Sequence, residues 1–127
     1  MTNLELEDKL QLLNEGLIEL ATEIGDTQLN PKSLNLLCLD FDVPVSVRDS
    51  WILEFRKLSD IEYDKYSSKE IISTFRNKMQ ERFEPAKDFS DLTVFSFIRV
   101  ISKNLVEELY PLSCLLEIEF SLTADLN

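Results

Sequence analysis

The chain has 127 residues, an apolar fraction of 44% and a formal net charge of −11. That length suits one domain with a buried core, and the apolar fraction argues against disorder throughout. The surplus of acids makes nucleic acid and anionic membranes poor partners. Histidine is absent, which excludes Ser-His and Cys-His nucleophile activation. We therefore expect a single globular domain over residues 1–127 that is not an enzyme.

The amino-terminal residues are acidic and lack the apolar core of an export signal. No apolar run reaches the length of a membrane span. We therefore expect a cytoplasmic protein without a cofactor, in which Cys38 and Cys114 stay reduced and act as small apolar groups.

Residues 4–24 show the clearest helical pattern of the chain. Thr2 or Asn3 can cap its start, and Gly25 suits its C-terminal turn. One face about 100° wide holds the apolar residues Leu6, Leu10, Leu13, Leu17, Leu20, Ala21 and Ile24. The opposite side gathers the acids Glu5, Asp8, Glu15, Glu19 and Glu23. The pattern predicts an amphipathic helix with an acidic face.

Residues 34–45, "LNLLCLDFDVPV", fit two structures. Alternating apolar and polar residues favour a strand near residues 36–43, whereas Asn30 and Pro31 could open a short helix over 31–39. We favour the helix, followed by an extended segment that contains Pro44. The run that ends in Asp-x-Asp also resembles the first motif of haloacid-dehalogenase-type phosphatases.

That resemblance implies that Asp40 is a nucleophile and Asp42 a general acid, with magnesium nearby. The family also needs glycine-rich loops and a parallel sheet, and no glycine follows Gly25. We therefore favour a partly exposed turn at this pair of aspartates.

Two predicted helices follow, each opened by a capping box. Ser46 with Asp49 opens a helix over 47–58, and Ser67 with Glu70 opens one over 68–83. The apolar face of the first comprises Val47, Trp51, Ile52, Phe55 and Leu58. The face of the second comprises Ile71, Ile72, Phe75, Met79 and Phe83.

The last third of the chain predicts a long central helix and a strand. The helix runs from Ser90 or Asp91 to Tyr110, where Pro111 should end it. Alternation over residues 114–122 is typical of a strand, which must pair with residues 36–43 or with another chain. The predicted fold is mainly α with four to five packed helices, and α+β with this small β element is the alternative.

The segment "DIEYDKYSSKE", residues 60–70, places Asp60, Glu62 and Asp64 at the first three ligand positions of an EF-hand calcium loop. The defining later positions differ. Lys65 stands where the loop requires glycine, and Glu70 comes one residue too early for the bidentate ligand. A solvated interhelical turn is therefore the favoured interpretation, and a degenerate calcium module is a less favoured alternative.

The remaining candidate site is the acidic face of the first helix. Residues 1–45 hold nine acidic and two basic residues. We expect this face to bind a basic protein partner, such as a toxin, in the general manner of small acidic immunity or inhibitor proteins. The predicted contact residues are Glu5, Asp8, Leu12, Glu15, Glu19 and Glu23. The alternative is a structural subunit of a homo-oligomer or larger complex, assembled through the last strand.

Overall fold

The computed structural model describes residues 5–126, and the side chains of residues 5–120. This part of the chain folds into six α-helices and holds no strand. The helices are α1 (Leu6–Glu23), α2 (Leu34–Asp40), α3 (Val45–Leu58), α4 (Ser68–Arg82), α5 (Asp91–Asn104) and α6 (Tyr110–Leu126). Short 3₁₀ helices at Tyr63–Lys65, Glu84–Asp88 and Glu107–Leu109 join them. The mainly α prediction is confirmed, with six helices instead of four to five.

Helix α5 is the centre of the fold, as its apolar sequence predicts. Every side chain from residue 93 to residue 102 is buried, and α2, α4 and α6 all pack against this helix. Trp51 and Phe55 of α3 and Phe75 of α4 complete the core, and each is no more than 1% exposed. The predicted apolar faces of the helices at 47–58 and 68–83 are confirmed, since their residues are buried or pack against the core.

The predicted capping box at Ser67 and Glu70 is present, and Ser90, one of the two predicted starts of the long helix, is also a cap. Ser67 accepts a hydrogen bond from the Glu70 amide at 3.2 Å, and the Glu70 carboxylate accepts one from the Ser67 amide at 3.1 Å. Ser90 accepts from the Thr93 amide at 3.1 Å and caps α5. Each cap satisfies amide groups that the first helical turn leaves without partners.

The predicted capping box at Ser46 and Asp49 is wrong. Helix α3 begins earlier, at Val45, and its N-cap is Pro44, which makes no side-chain cap. Proline favours this boundary because its ring holds φ near the value of a helix start, here −66°. Asp49 instead accepts from the Arg48 guanidinium at 2.9 Å. The predicted cap of α1 at Thr2 or Asn3 lies outside the described residues.

Residues 36–43 form no strand, so the favoured helix is confirmed over its strand alternative, with different bounds. Helix α2 spans Leu34–Asp40, three residues later than the predicted helix start, because Ser33 caps it through the Leu36 amide at 3.2 Å. The following segment is a sharp turn instead of an extended stretch, since Asp42 adopts a left-handed φ of 56°. Burial of Leu37 and Cys38 against the core stabilises the helical alternative.

The predicted strand at residues 114–122 lies within α6. Helix α5 ends at Asn104, so Pro111 stands in the first turn of α6 instead of ending the preceding helix. A first-turn proline is well tolerated because its missing amide has no intrahelical partner there. Leu112 and Leu116 are buried, and the Phe120 ring lies 5.0 Å from the Phe95 ring of α5. The strand on which the assembly alternative depended is therefore not formed by this segment.

A buried arginine joins α5 to α6. The Arg99 guanidinium donates to Ser113 Oγ at 3.0 Å and pairs with the Glu117 carboxylate at 2.8 Å. It also lies 5.0 Å from the centre of the Tyr110 ring. A buried guanidinium needs such partners because losing its hydration is costly.

Candidate functional site

Helix α1 is the one α-helix without a residue in the hydrophobic core of the described chain. Ala21 is its only buried side chain. Gly25, with a left-handed φ of 89°, ends the helix as predicted. An amphipathic surface helix normally covers the core with its apolar side. Helix α1 instead leaves both sides open to solvent.

The acidic stripe, which we define as Glu5, Asp8, Glu15, Glu19 and Glu23, is exposed to solvent. All five side chains are exposed, and none forms an ion pair within the described residues. Glu15 accepts one hydrogen bond, from Gln11 at 3.2 Å. Leu12, predicted as an apolar anchor, lies among these acids and is 57% exposed. The structure thus places all six predicted contact residues on one accessible surface.

The apolar stripe, which we define as Leu6, Leu10, Leu13, Leu17, Leu20 and Ile24, was predicted as a helix face, but its exposure to solvent was not predicted. Each of these side chains is between 47% and 71% exposed. Isolated exposed leucines are common, but a continuous apolar row of this length marks an interaction surface.

The base of α1 is fixed to the core by the segment that follows it. The Ser96 hydroxyl of α5 donates to the Gln28 carbonyl at 2.6 Å, and Lys103 donates to the Asn30 side chain at 3.2 Å. Asp26 accepts a hydrogen bond from the Lys32 amide. These bonds anchor the C-terminal end of α1, while the rest of the helix projects from the core.

A largely apolar groove of about 480 Å³ opens beside this base. The C-terminal end of the apolar stripe forms one wall. Lys32, Asn35 and Leu36 contribute to the other wall, from α2 and the turn before it. The groove therefore continues the apolar stripe onto the body of the protein and adds a cation at its edge.

The three candidate calcium ligands occupy an exposed loop between α3 and α4. Asp60, Glu62 and Asp64 are all exposed, and Glu62 forms an ion pair with Lys65, the residue that replaces the loop glycine. Among the described side chains, no group of three acids or cysteines is placed to hold a metal ion. The geometry resembles a solvated turn more than a cation site.

Asp40 and Asp42 do not have the setting that a phosphatase motif requires. Asp40 is the last residue of α2, and Asp42 lies in the turn beyond it, whereas the motif follows a strand. Partial burial raises the pKa of Asp40, and the nearby Asp26 carboxylate raises it further. The structural implication of the resemblance, a parallel sheet, is wrong for residues 5–126.

Both cysteines are free thiols. Cys38 is buried in the core, and this burial raises its pKa to about 11, although the positive charge of Arg48 opposes the change. A thiol with so high a pKa is protonated near neutral pH and is a weak nucleophile. Cys38 therefore acts as an apolar core group.

Comparison with known protein families, curated proteins and solved structures gave no match. The segment from residue 5 to residue 126 contains no helix that combines the length and apolar character needed to cross a bilayer. Helix α1 with its two stripes is therefore the candidate functional site.

Proposed function

We propose that this protein is a small acidic binding module that neutralises or regulates a basic protein partner, in the general manner of an inhibitor or toxin-immunity protein. The observation that supports this function most directly is the acidic stripe. It presents five exposed carboxylates on one helix, without ion pairs within the described residues.

The unbound stripe carries an electrostatic cost. Glu15, Glu19 and Glu23 follow one another at intervals of four residues, and each like-charged pair at that spacing costs about 0.2–0.5 kcal/mol. Glu23 also lies at the C-terminal end of α1, where the helix dipole disfavours negative charge. A cationic partner would relieve both effects, and the field of the stripe would accelerate its approach.

Leu12 gives this surface an apolar contact at its centre. It is 57% exposed and lies among carboxylates that a basic partner would cover. Tight interfaces commonly place an apolar anchor inside a charged and polar rim, because exclusion of water strengthens the surrounding ion pairs. The stripe and Leu12 together form such an arrangement.

The test compares two immobilised variants that lose three negative charges each. The stripe variant carries Asp8→Asn, Glu15→Gln and Glu19→Gln, and the control carries Asp60→Asn, Asp64→Asn and Glu107→Gln. Incubation with extract of the source cell at about 0.15 M salt should retain a protein of pI above about 9 on the wild type and the control. The stripe variant should lose it, because its charge complementarity is removed.

The retained protein is then purified, and its affinity for each form is measured by calorimetry. We expect the stripe variant to bind at least about tenfold more weakly than the control. Equal retention and equal affinity for the two variants would show that the acidic stripe is not the binding surface.

A second candidate function, that of an assembly subunit, is favoured by the apolar stripe. The strand that was expected to carry assembly is part of α6, but the exposed leucines of α1 offer another route.

A further inference from the structure

The apolar stripe has the spacing of a coiled-coil seam. Its six residues follow one another at intervals of four, three, four, three and four, which is the spacing of a and d positions in a heptad and, over this length, also that of one face of a straight helix. An apolar row at this spacing can face a core or a second helix, and all six side chains are exposed, so the described part of the chain does not cover the row. In heptad terms Leu10, Leu17 and Ile24 are the a positions, and Leu6, Leu13 and Leu20 are the d positions.

Gly16 is a second indication of a helix partner. Glycine inside a helix costs about 1 kcal/mol relative to alanine. Nothing in this chain requires it, since a β-carbon built at Gly16 would meet no atom within 4 Å. Gly16 flanks the seam near the middle of α1, where the missing side chain would allow a second helix to approach closely.

The charges beside the seam favour an antiparallel arrangement of α1 with the α1 of a second copy. Lys9, Gly16 and Glu23 occupy the g positions beside the seam, and g positions pair with g positions in an antiparallel coiled coil. If Leu13 of one copy lies level with the partner's Leu17, Lys9 therefore faces the partner's Glu23, and the same pair forms at the other end. Gly16 then faces the partner's Gly16. The arrangement also places the two acidic bodies at opposite ends of the helix pair. A parallel arrangement would place them at the same end, where their net charges repel.

The groove at the base of α1 fits the same register. Leu6 of the partner would lie level with Ile24, which forms part of the groove wall with Leu36. The partner's Glu7, next to its Leu6, would then approach Lys32 at the groove edge. The groove thus extends a seam of fewer than three heptads, which is short for a coiled coil by itself.

We infer that α1 is a dimerisation arm: two copies of this chain associate through their apolar stripes as an antiparallel two-helix coiled coil, with the start of each arm seated in the groove of the other. The acidic stripe lies at the outer positions of this pair, apart from Glu23. The dimer therefore leaves the proposed surface for a basic partner exposed.

The test measures the mass of the full chain by sedimentation equilibrium over a range of concentrations. The seam variant carries Leu13→Gln and Leu17→Gln. The matched control carries Leu12→Gln, on the opposite side of α1, and Leu53→Gln, on α3, and both of these leucines are 57% exposed. Since none of the four belongs to the core, all forms should stay folded. Wild type and control should form dimers, and the seam variant should dissociate at least about a hundredfold more readily. Monomeric wild type, or equal effects of the two variants, would overturn the inference.

The orientation is tested by charge exchange. Glu23→Lys lowers the net repulsion between chains, yet it should weaken an antiparallel dimer because it places two lysines together at each end. The double variant Lys9→Glu, Glu23→Lys should restore the affinity. A Glu23→Lys protein that dimerises more tightly than wild type would contradict the antiparallel register.

Experiments can refute the dimer and the proposed function independently of each other. Salt screens the repulsion between two acidic chains, so the dimer should strengthen with added salt, whereas binding of a basic partner should weaken. A chain that is monomeric at every salt concentration but still captures a basic protein would refute the dimer alone. A dimer whose acidic stripe variant behaves like its control would refute the proposed function alone.

Discussion

At the scale of single residues, the structure changes the role that the sequence suggests for Asp40. In the sequence it is half of an Asp-x-Asp pair that suggests phosphoryl chemistry. In the structure it ends α2, where the helix dipole and the Asp26 carboxylate both disfavour its negative charge. Its raised pKa follows from partial burial and from this neighbour.

This raised pKa predicts a pH-dependent effect on stability. Because the folded protein holds the Asp40 proton more tightly than the unfolded chain, the aspartate lowers stability as pH rises past its ordinary value of 3.8. Asp40→Asn should therefore raise the free energy of unfolding at neutral pH and change it little near pH 3.

Urea titrations at the two pH values measure this difference, and Asp60→Asn, in the exposed loop, is the control. A gain for Asp40→Asn that is equal at both pH values would contradict the electrostatic explanation.

At the scale of elements, the sequence predicts a helix correctly where its apolar pattern fits only one type of secondary structure. Helices α3 and α4 combine a clear apolar face with a nearby boundary signal, and α5 is so apolar that it must be central. Residues 114–122 of α6 were predicted to be a strand, because their apolar residues fit both the period of a helix and the alternation of a strand. Only packing on α5, through Leu112, Leu116 and Phe120, decides between them. Long-range packing of this kind is not encoded in local periodicity.

The contact between α5 and α6 gives a prediction about the Arg99–Glu117 pair. Glu117→Ala removes the carboxylate and leaves a guanidinium whose side chain is only 9% exposed. We expect a loss of about 1–3 kcal/mol, less than for a fully buried pair because Glu117 keeps some contact with water.

Chemical denaturation measures this loss, with Glu108→Ala, an exposed acid in the preceding 3₁₀ helix, as the control. If the two variants unfold at the same denaturant concentration, the buried pair does not stabilise the α5–α6 contact.

At the scale of the whole molecule, the chain divides into a closed core and an arm. The sequence predicts the helix of the arm and the position of the six proposed contact residues on one side of it, because amphipathic periodicity is local. It does not predict that the apolar stripe stays open, because that depends on whether other helices fill the core first. The intervals of four and three residues do not distinguish the two cases, because core-facing helices share them.

This division predicts that the core folds without the arm. Removal of residues 1–22 deletes most of α1 and, among the described side chains, one buried residue, Ala21, which lies outside the main core cluster. The free energy of unfolding, followed by Trp51 fluorescence at low protein concentration, should change by less than about 1 kcal/mol. Trp51 is a suitable probe because it is 1% exposed and donates to the Met79 carbonyl at 3.0 Å.

Phe97→Ala in the full chain provides the contrast, with an expected loss of about 3–5 kcal/mol. A truncated chain that fails to fold would show that α1 supports the core.

The separation of arm and core also affects how such a protein can evolve. Substitutions on the outer surface of α1 would change the proposed recognition without creating cavities in the core or leaving polar groups unpaired there, so they would avoid the loss of stability that most mutations cause. New specificities can then arise one side chain at a time on an unchanged scaffold, as is advantageous for a protein whose target itself diversifies.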